Sequence, residues 1–220
     1  SNFDEEVSLN MNQLDKKEGD WKRYVFGCIQ IFMNEYNINK GFNILIGGNI
    51  PIGFGMSSSA ALEVSLLASL SYASGITLDN YKILELSNKV EKDFLGIQSG
   101  LLDQYASIFS KKDKPLIIDF STLSHNYVNS KIKGASWVLI NSMVDRSLAD
   151  SKYNDRVREC HLGLKVINDL NKTNIKINQI SSSHLDSLKN NQILFKRVKH
   201  IVSENQRVKF MKEAMEQNDL

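Results

Sequence analysis

The chain has 220 residues, 42% of them hydrophobic and 24% charged, with a formal net charge of +2. That length buries a respectable core as one large domain or two small ones, and the charge is too slight for a nucleic-acid or polyphosphate surface. Cys28 and Cys160 make neither a disulfide framework nor a zinc site, and the apolar run at 60–73 is too broken by Glu63 and serines to read as a membrane span. No stretch reads as a signal peptide, so a cytoplasmic, reducing compartment is expected.

Taken in chain order, residues 1–19 are polar, with Phe3, Val7, Leu9, Met11 and Leu14 as apolar anchors. Asp20 has the character of a helix cap. Trp21, Tyr24, Val25, Cys28, Ile29, Phe32 and Met33 follow at three- and four-residue steps, which predicts an amphipathic helix over 20–36. Trp21 and Cys28 read as core. Residues 37–41 form a turn, and the alternation of Phe42, Ile44 and Ile46 predicts a strand over 42–49.

The stretch Pro51-Ile-Gly-Phe-Gly-Met-Ser-Ser-Ser-Ala-Ala61 comes next and opens a long apolar segment. Gly53 and Gly55 permit positive φ and leave room for the backbone to approach a bulky anion. The serines fall at a helix start, where free N–H groups and the positive end of the macrodipole attract phosphate. A strand-to-helix connection with serine caps is the plainer alternative; the stretch lacks both the P-loop ending and the dinucleotide spacing. The helix over 57–74 is expected to be buried nearly all round and to stop at Gly75.

Asp79 caps a further helix carrying Tyr81, Ile83, Leu84, Leu86, Val90 and Phe94, and residues 96–100 interrupt it before another helix over 101–109. After a charged turn at 111–114, strands are predicted over 115–120, 124–129 and 136–141. Helices are predicted over 151–170, 182–189 and 193–217. The order is α+β. Asp103 falls in a first helical turn, where the dipole holds a carboxylate ionised, either to serve a reacting hydroxyl or simply to cap. Glu91 sits on a run of alternating charge, which reads as a solvated helix face. Arg146, Ser147, Ser151, Tyr153 and Asn154 gather after a strand end, where small-ligand groups often collect.

The pattern P-x-G-x-G-[LM]-S-S-S-A-A at 51–61 resembles the second signature of the GHMP small-molecule kinases. Three further segments are similar to galactokinases within that family: G-I-x-x-G-x-x-D-Q at 96–104, Y-N-x-R-x-x-E-C at 153–160, and R-x-x-H-[IV]-x-x-E-x-x-R-V at 197–208. Residues 21–27 fit the family's W-x-x-Y-V-x-G opening. The resemblance covers nearly the whole chain. It implies a GHMP-kinase-like (ribosomal protein S5 domain 2-like) N-terminal domain over 1–132, with the start of the C-terminal GHMP domain over 133–220.

The activity so implied is transfer of the ATP γ-phosphate to galactose, giving galactose 1-phosphate and ADP. Asp103 corresponds to the acid facing the attacking sugar hydroxyl, and Gly100 and Tyr153 to sugar contacts. Pro51, Gly53, Gly55, Met56, Ser57, Ser58, Ser59 and Ala60 correspond to the ATP-phosphate cradle, and Ser59 and Glu91 to ligands of Mg²⁺. L-arabinose and N-acetylgalactosamine kinases, or a non-catalytic sugar and ATP sensor, are the alternatives; the intact serine run and Asp103 favour an enzyme. The family's G-R-x-N-L-I-G-E-H-x-D-Y and G-x-G-F-G-G motifs are not found within 1–220. The chain by itself is therefore expected to turn over sugar poorly, and to show an exposed sheet edge through which copies associate.

Overall fold

The computed structural model describes residues 7–8, 21–128, 138–143 and 153–217. The proposed cap Asp20, the anchors of 1–19 other than Val7, and Arg146, Ser147 and Ser151 lie outside the described residues. Contacts divide the chain into two compact units, Ser1–Phe109 with Ile140–Ser151, and Ser110–Leu139 with Lys152–Leu220.

In the first unit the periodic stripe after Trp21 forms α1 (Lys22–Tyr36), burying Val25, Phe26, Cys28, Ile29 and Phe32. Asn37 ends it in the left-handed region at φ 51°, a conformation Asn tolerates better than most side chains. The apolar segment after the serine run forms α2 (Ser58–Ala73), and Asp79 caps α3 (Asn80–Lys89) by accepting the Lys82 N–H at 2.7 Å. α3 runs on into a π turn, Val90–Phe94, and α4 (Leu102–Phe109) follows. Val25, Cys28, Ile29, Phe32, Leu66, Leu67, Leu70, Ile83, Leu86 and Val90 make one shared core, with Trp21 packed at its margin. Tyr105 of α4 is fully buried, its ring 4.5 Å from that of Phe109.

Gly75, at φ 68°, closes α2 as expected. Its N–H meets the Tyr72 carbonyl while the Ile76 N–H reaches back to Ser71. That pair of bonds is a Schellman ending, which needs a left-handed residue at this position.

Two expectations fail here for one reason. Residues 42–49 are not a strand, because no described segment lies beside them to accept a ladder of hydrogen bonds. Phe42 packs half-buried against the core, but Ile44, Leu45 and Ile46 stay out in solvent, Leu45 completely so. α2 is likewise not buried all round. Glu63, Leu66, Leu67, Leu70 and Ser71 form one buried stripe, whereas Ser65, Ala68, Ser69 and Tyr72 face outward, Tyr72 at 90% exposure. An apolar composition does not select a face unless something covers it.

In the second unit β1 (Leu116–Asp119) and β2 (Ser124–Tyr127) pair antiparallel, from Leu116 opposite Tyr127 to Asp119 opposite Ser124. The expected third strand does not form in 138–141, and 136–137 lie outside the described residues. α5 (Tyr153–Asn171), two short 3-10 turns at Ile177–Gln179 and Ser182–Leu188, and α6 (Gln192–Gln217) surround Ile167, Ile180, Leu188, Leu194 and Val198. Glu159 on α5 binds Arg156 of its own helix and Arg197 of α6, which ties the two helices together.

Glycine sets one approach distance in each unit. A Cβ on Gly27 of α1 would lie 2.8 Å from Phe94 and 2.9 Å from Val90, and one on Gly163 of α5 would lie 2.6 Å from Val198. Gly27→Ala gains about 1 kcal/mol of helix propensity but overpacks a filled core, at a cost of about 1–3 kcal/mol. We expect a net loss on the order of 1 kcal/mol, read as a lower urea midpoint at unchanged slope; an unchanged or higher midpoint would show that the π turn yields freely.

The Glu159 carboxyl is held below the usual carboxylate range by Arg197 first and Arg156 second. A depressed carboxyl stabilises the fold above its unfolded pKa, and that contribution disappears as pH falls through the folded value. The gap in melting temperature between wild type and Glu159→Gln should therefore be open at pH 7 and closed in strong acid. A gap of constant width would mean the ion pairs contribute nothing, as exposed pairs often do.

Candidate active site

The turn from Pro51 to Met56 is open to solvent. Gly53 and Gly55 adopt φ values of 77° and 69°, and the space a Cβ would fill at either is empty. It is therefore the backbone torsion, not crowding, that calls for glycine here. Ser57 precedes α2 in the left-handed region at φ 56°, and its side chain makes no capping hydrogen bond. The plain capping role is thus not what this serine performs. A non-glycine residue in that region costs on the order of 1 kcal/mol, and such strain tends to collect at ligand clamps. Ser57, Ser58 and Ser59 are half-buried around the first N–H groups of α2, with Ala60 buried behind them.

Asp103 stands exposed in the first turn of α4. The chain reaches it through a second tight passage: Gly96 at φ 72° ends the π turn, and the Ile97 N–H donates to the Glu91 carbonyl at 2.8 Å. Gly100, exposed, lies just before the helix.

What joins the two helix starts is buried and polar. The Gln104 amide Nε2 donates to Glu63 Oε2 at 3.2 Å, with Glu63 fully buried and Gln104 at 1% exposure. Glu63 is four residues after Ser59, so the two share a face of α2. Gln104 is the residue after Asp103. The first turn of α4 therefore meets α2 about one turn below the serine run. Glu63 Oε1 and Gln104 Oε1 are both buried and without a hydrogen-bond partner.

Glu91 belongs to the same cluster. Its run of alternating charge alone reads as a solvated face, yet the π turn rolls it inward to 6% exposure, where the Ser99 hydroxyl donates to its carboxylate. Burial raises the Glu91 carboxyl to about 7, helped by the neighbouring Asp103 charge and opposed by the Gln104 hydrogen bond. Burial first, then Glu91, raises the Glu63 carboxyl to about 8. Asp103, Glu91 and Glu63 thus lie within electrostatic reach of one another, three acidic side chains around one glutamine.

The structure gathers the serine run, Glu91, Gly100 and Asp103 within the first unit. Tyr153 opens α5 in the second unit, 42% exposed. The buried pair Glu63 and Gln104 was not anticipated: Glu63 registered only as a break in an apolar run. The available signal was a lone acid inside an otherwise apolar helix, one turn after Ser59. Among the described residues no group of three His, Cys, Asp or Glu side chains could hold a metal ion, and no helix is long and apolar enough to cross a membrane.

Residues 23–111 match the family model described as GHMP kinases N terminal domain. A galactokinase of Fusobacterium nucleatum is 35% identical over 97% of this chain and 56% of its own length. One from Thermosipho africanus is 36% identical over the whole of this chain and 60% of its own. The crystal structure of Lactococcus lactis galactokinase complexed with galactose superposes with a TM-score of 0.82 at 32% identity, covering 93% of this chain and 54% of that one. The chain thus spans little more than half the length of the relatives it matches. The α+β, GHMP-like fold expected from the motifs is borne out: residues 23–111 form a GHMP kinase N-terminal domain, and the chain is similar to galactokinases over nearly all of its length.

Proposed function

We propose that this chain carries the nucleotide-phosphate turn and the sugar-facing acid of an ATP-dependent galactose 1-kinase. The observation that carries the reading is the meeting of α2 and α4, which sets Asp103 one residue from a side chain anchored just below the serine run. Phosphoryl transfer asks a protein for positioning and for charge compensation more than for covalent chemistry. The galactose in the Lactococcus lactis relative supports the choice of sugar.

In this reading the N–H groups at the start of α2, with the Ser57 and Ser58 hydroxyls, bind the ATP phosphates across Gly53 and Gly55. Pro51 and Met56 frame the turn, and Ala60 packs behind it. Asp103 accepts a hydrogen bond from the attacking sugar hydroxyl and aligns it, with Gly100 as a further sugar contact. The donor types suit Mg²⁺, which takes oxygen ligands and keeps waters: the Ser59 hydroxyl and the Glu91 carboxylate would hold it beside the phosphates. When bound, the ion neutralises phosphate charge. Glu91 is suited to that place because its other contacts, Ser99 and Gln104, fix its orientation without cancelling its charge.

Two measurements test the roles separately. In the intact protein Asp103→Asn should lower kcat about 10²–10⁴-fold and leave the affinity for Mg-ATP near wild type, as read by coupled ADP release and by calorimetry. Equal loss in both would place Asp103 in the phosphate site instead. Gly55→Val forces a β-branched side chain to φ 69°, and should weaken Mg-ATP binding at least about tenfold with helix content preserved. Saturable binding of normal strength to that variant would sink the assignment of the turn.

A further inference from the structure

Burying a carboxyl completely is costly unless it is paired, and isolated buried charges usually neutralise instead. Glu63 has no basic partner among the described residues; its recorded side-chain partner is the Gln104 amide. The unsatisfied atoms are the other oxygens of the same two groups, Glu63 Oε1 and Gln104 Oε1. Two buried acceptors with no donor each cost about 1–3 kcal/mol. A single proton removes both costs. A carboxylic acid and a carboxamide each offer one donor and one acceptor side by side, so they close a ring with two hydrogen bonds. Turning the amide over leaves the same requirement, since its oxygen then faces the other carboxyl oxygen.

We propose that Glu63 is a positioning residue held as a neutral acid: it closes a two-bond ring with the Gln104 carboxamide and so locks the helix bearing Asp103 onto the helix behind the serine run. Oε2 accepts from Gln104 Nε2, and the Oε1 hydroxyl donates to Gln104 Oε1. A neutral ring also spares the Glu91 carboxylate a second negative charge in the same interior. The buried Cys28 thiol lies 3.9 Å from the main-chain carbonyl of Glu63. The positioning of Asp103 rests on the kinase reading above; the ring does not.

Infrared spectra of the whole chain at neutral pH test the ring directly. The wild type should show a hydrogen-bonded protonated-carboxyl band that Glu63→Gln abolishes and Asp103→Asn leaves in place. Identical spectra for wild type and Glu63→Gln would overturn the proposal. Glutamine is also the isostere that keeps both ring bonds, so in the intact protein Glu63→Gln should hold kcat within about threefold, while Glu63→Leu lowers kcat more than tenfold with a smaller change in KM for nucleotide. Equal impairment of the two variants would overturn the positioning role, as would a Leu variant with normal kcat. Should Glu63→Leu not fold, Gln104→Leu makes the same break from the other side and is judged by the same criterion. A wild type without kinase activity would remove the kinase reading and leave the infrared result to decide the ring.

Discussion

The first unit depends on one helix answering two demands. α2 must turn an apolar stripe into the core and present its N-terminal N–H groups to solvent at the serine run. The stripe is met by Leu66, Leu67 and Leu70, whose burial stabilises the fold by about 1.5–3 kcal/mol each as an upper range. The open end is left unsatisfied, with Ser57 strained and uncapped. Where the two demands meet, the chain places not another leucine but Glu63. A polar contact at that point fixes α4 in register and rotation on α2, which a greasy contact of equal volume does less sharply.

The rest of the cluster follows from where the backbone can bend. A regular continuation of α3 would carry Glu91 on through a run of alternating charges. The π turn at Val90–Phe94 adds a residue to the helical circuit and re-aims the side chains after it. Gly27 permits this, since only a residue without a Cβ lets α1 lie against Val90 and Phe94 at the observed distance. The glycine that the sequence offered merely as part of a W-x-x-Y-V-x-G opening thus sets the position of a buried carboxylate. A site residue and a packing residue far apart in the chain are two ends of one constraint.

That pattern explains what was legible beforehand. The α-helices α1 to α6 were all placed to within a few residues, α1 most plainly, because its 3.6-residue stripe is written by the core that buries it. Torsional signals were equally plain: Gly53, Gly55 and Gly75 take the positive φ for which they were singled out. The strand over 42–49 was not legible, since alternation describes half of a pairing and the ladder needs the other half. The charge pattern around Glu91 pointed to a solvated face because a π turn leaves no trace in hydropathy. Gln104 entered only as the last letter of the 96–104 motif and was given no role, because an amide next to an acid carries no pattern; its meaning exists only opposite Glu63.

The segments that resemble the galactokinases prove to be of two physical kinds. The serine run is half-buried with Ser57 strained and uncapped, and Asp103 is exposed, a costly arrangement for a fold and one that collects at ligand sites. Y-N-x-R-x-x-E-C and the R-x-x-H helix behave oppositely. Their Arg156, Glu159 and Arg197 satisfy one another and staple α5 to α6. A residue shared with a family of enzymes is therefore not by that fact a residue of its chemistry. The test is where its polar atoms find their partners: inside the protein, as at Glu159, or pointing at space the protein leaves open, as at Ser57 and Asp103.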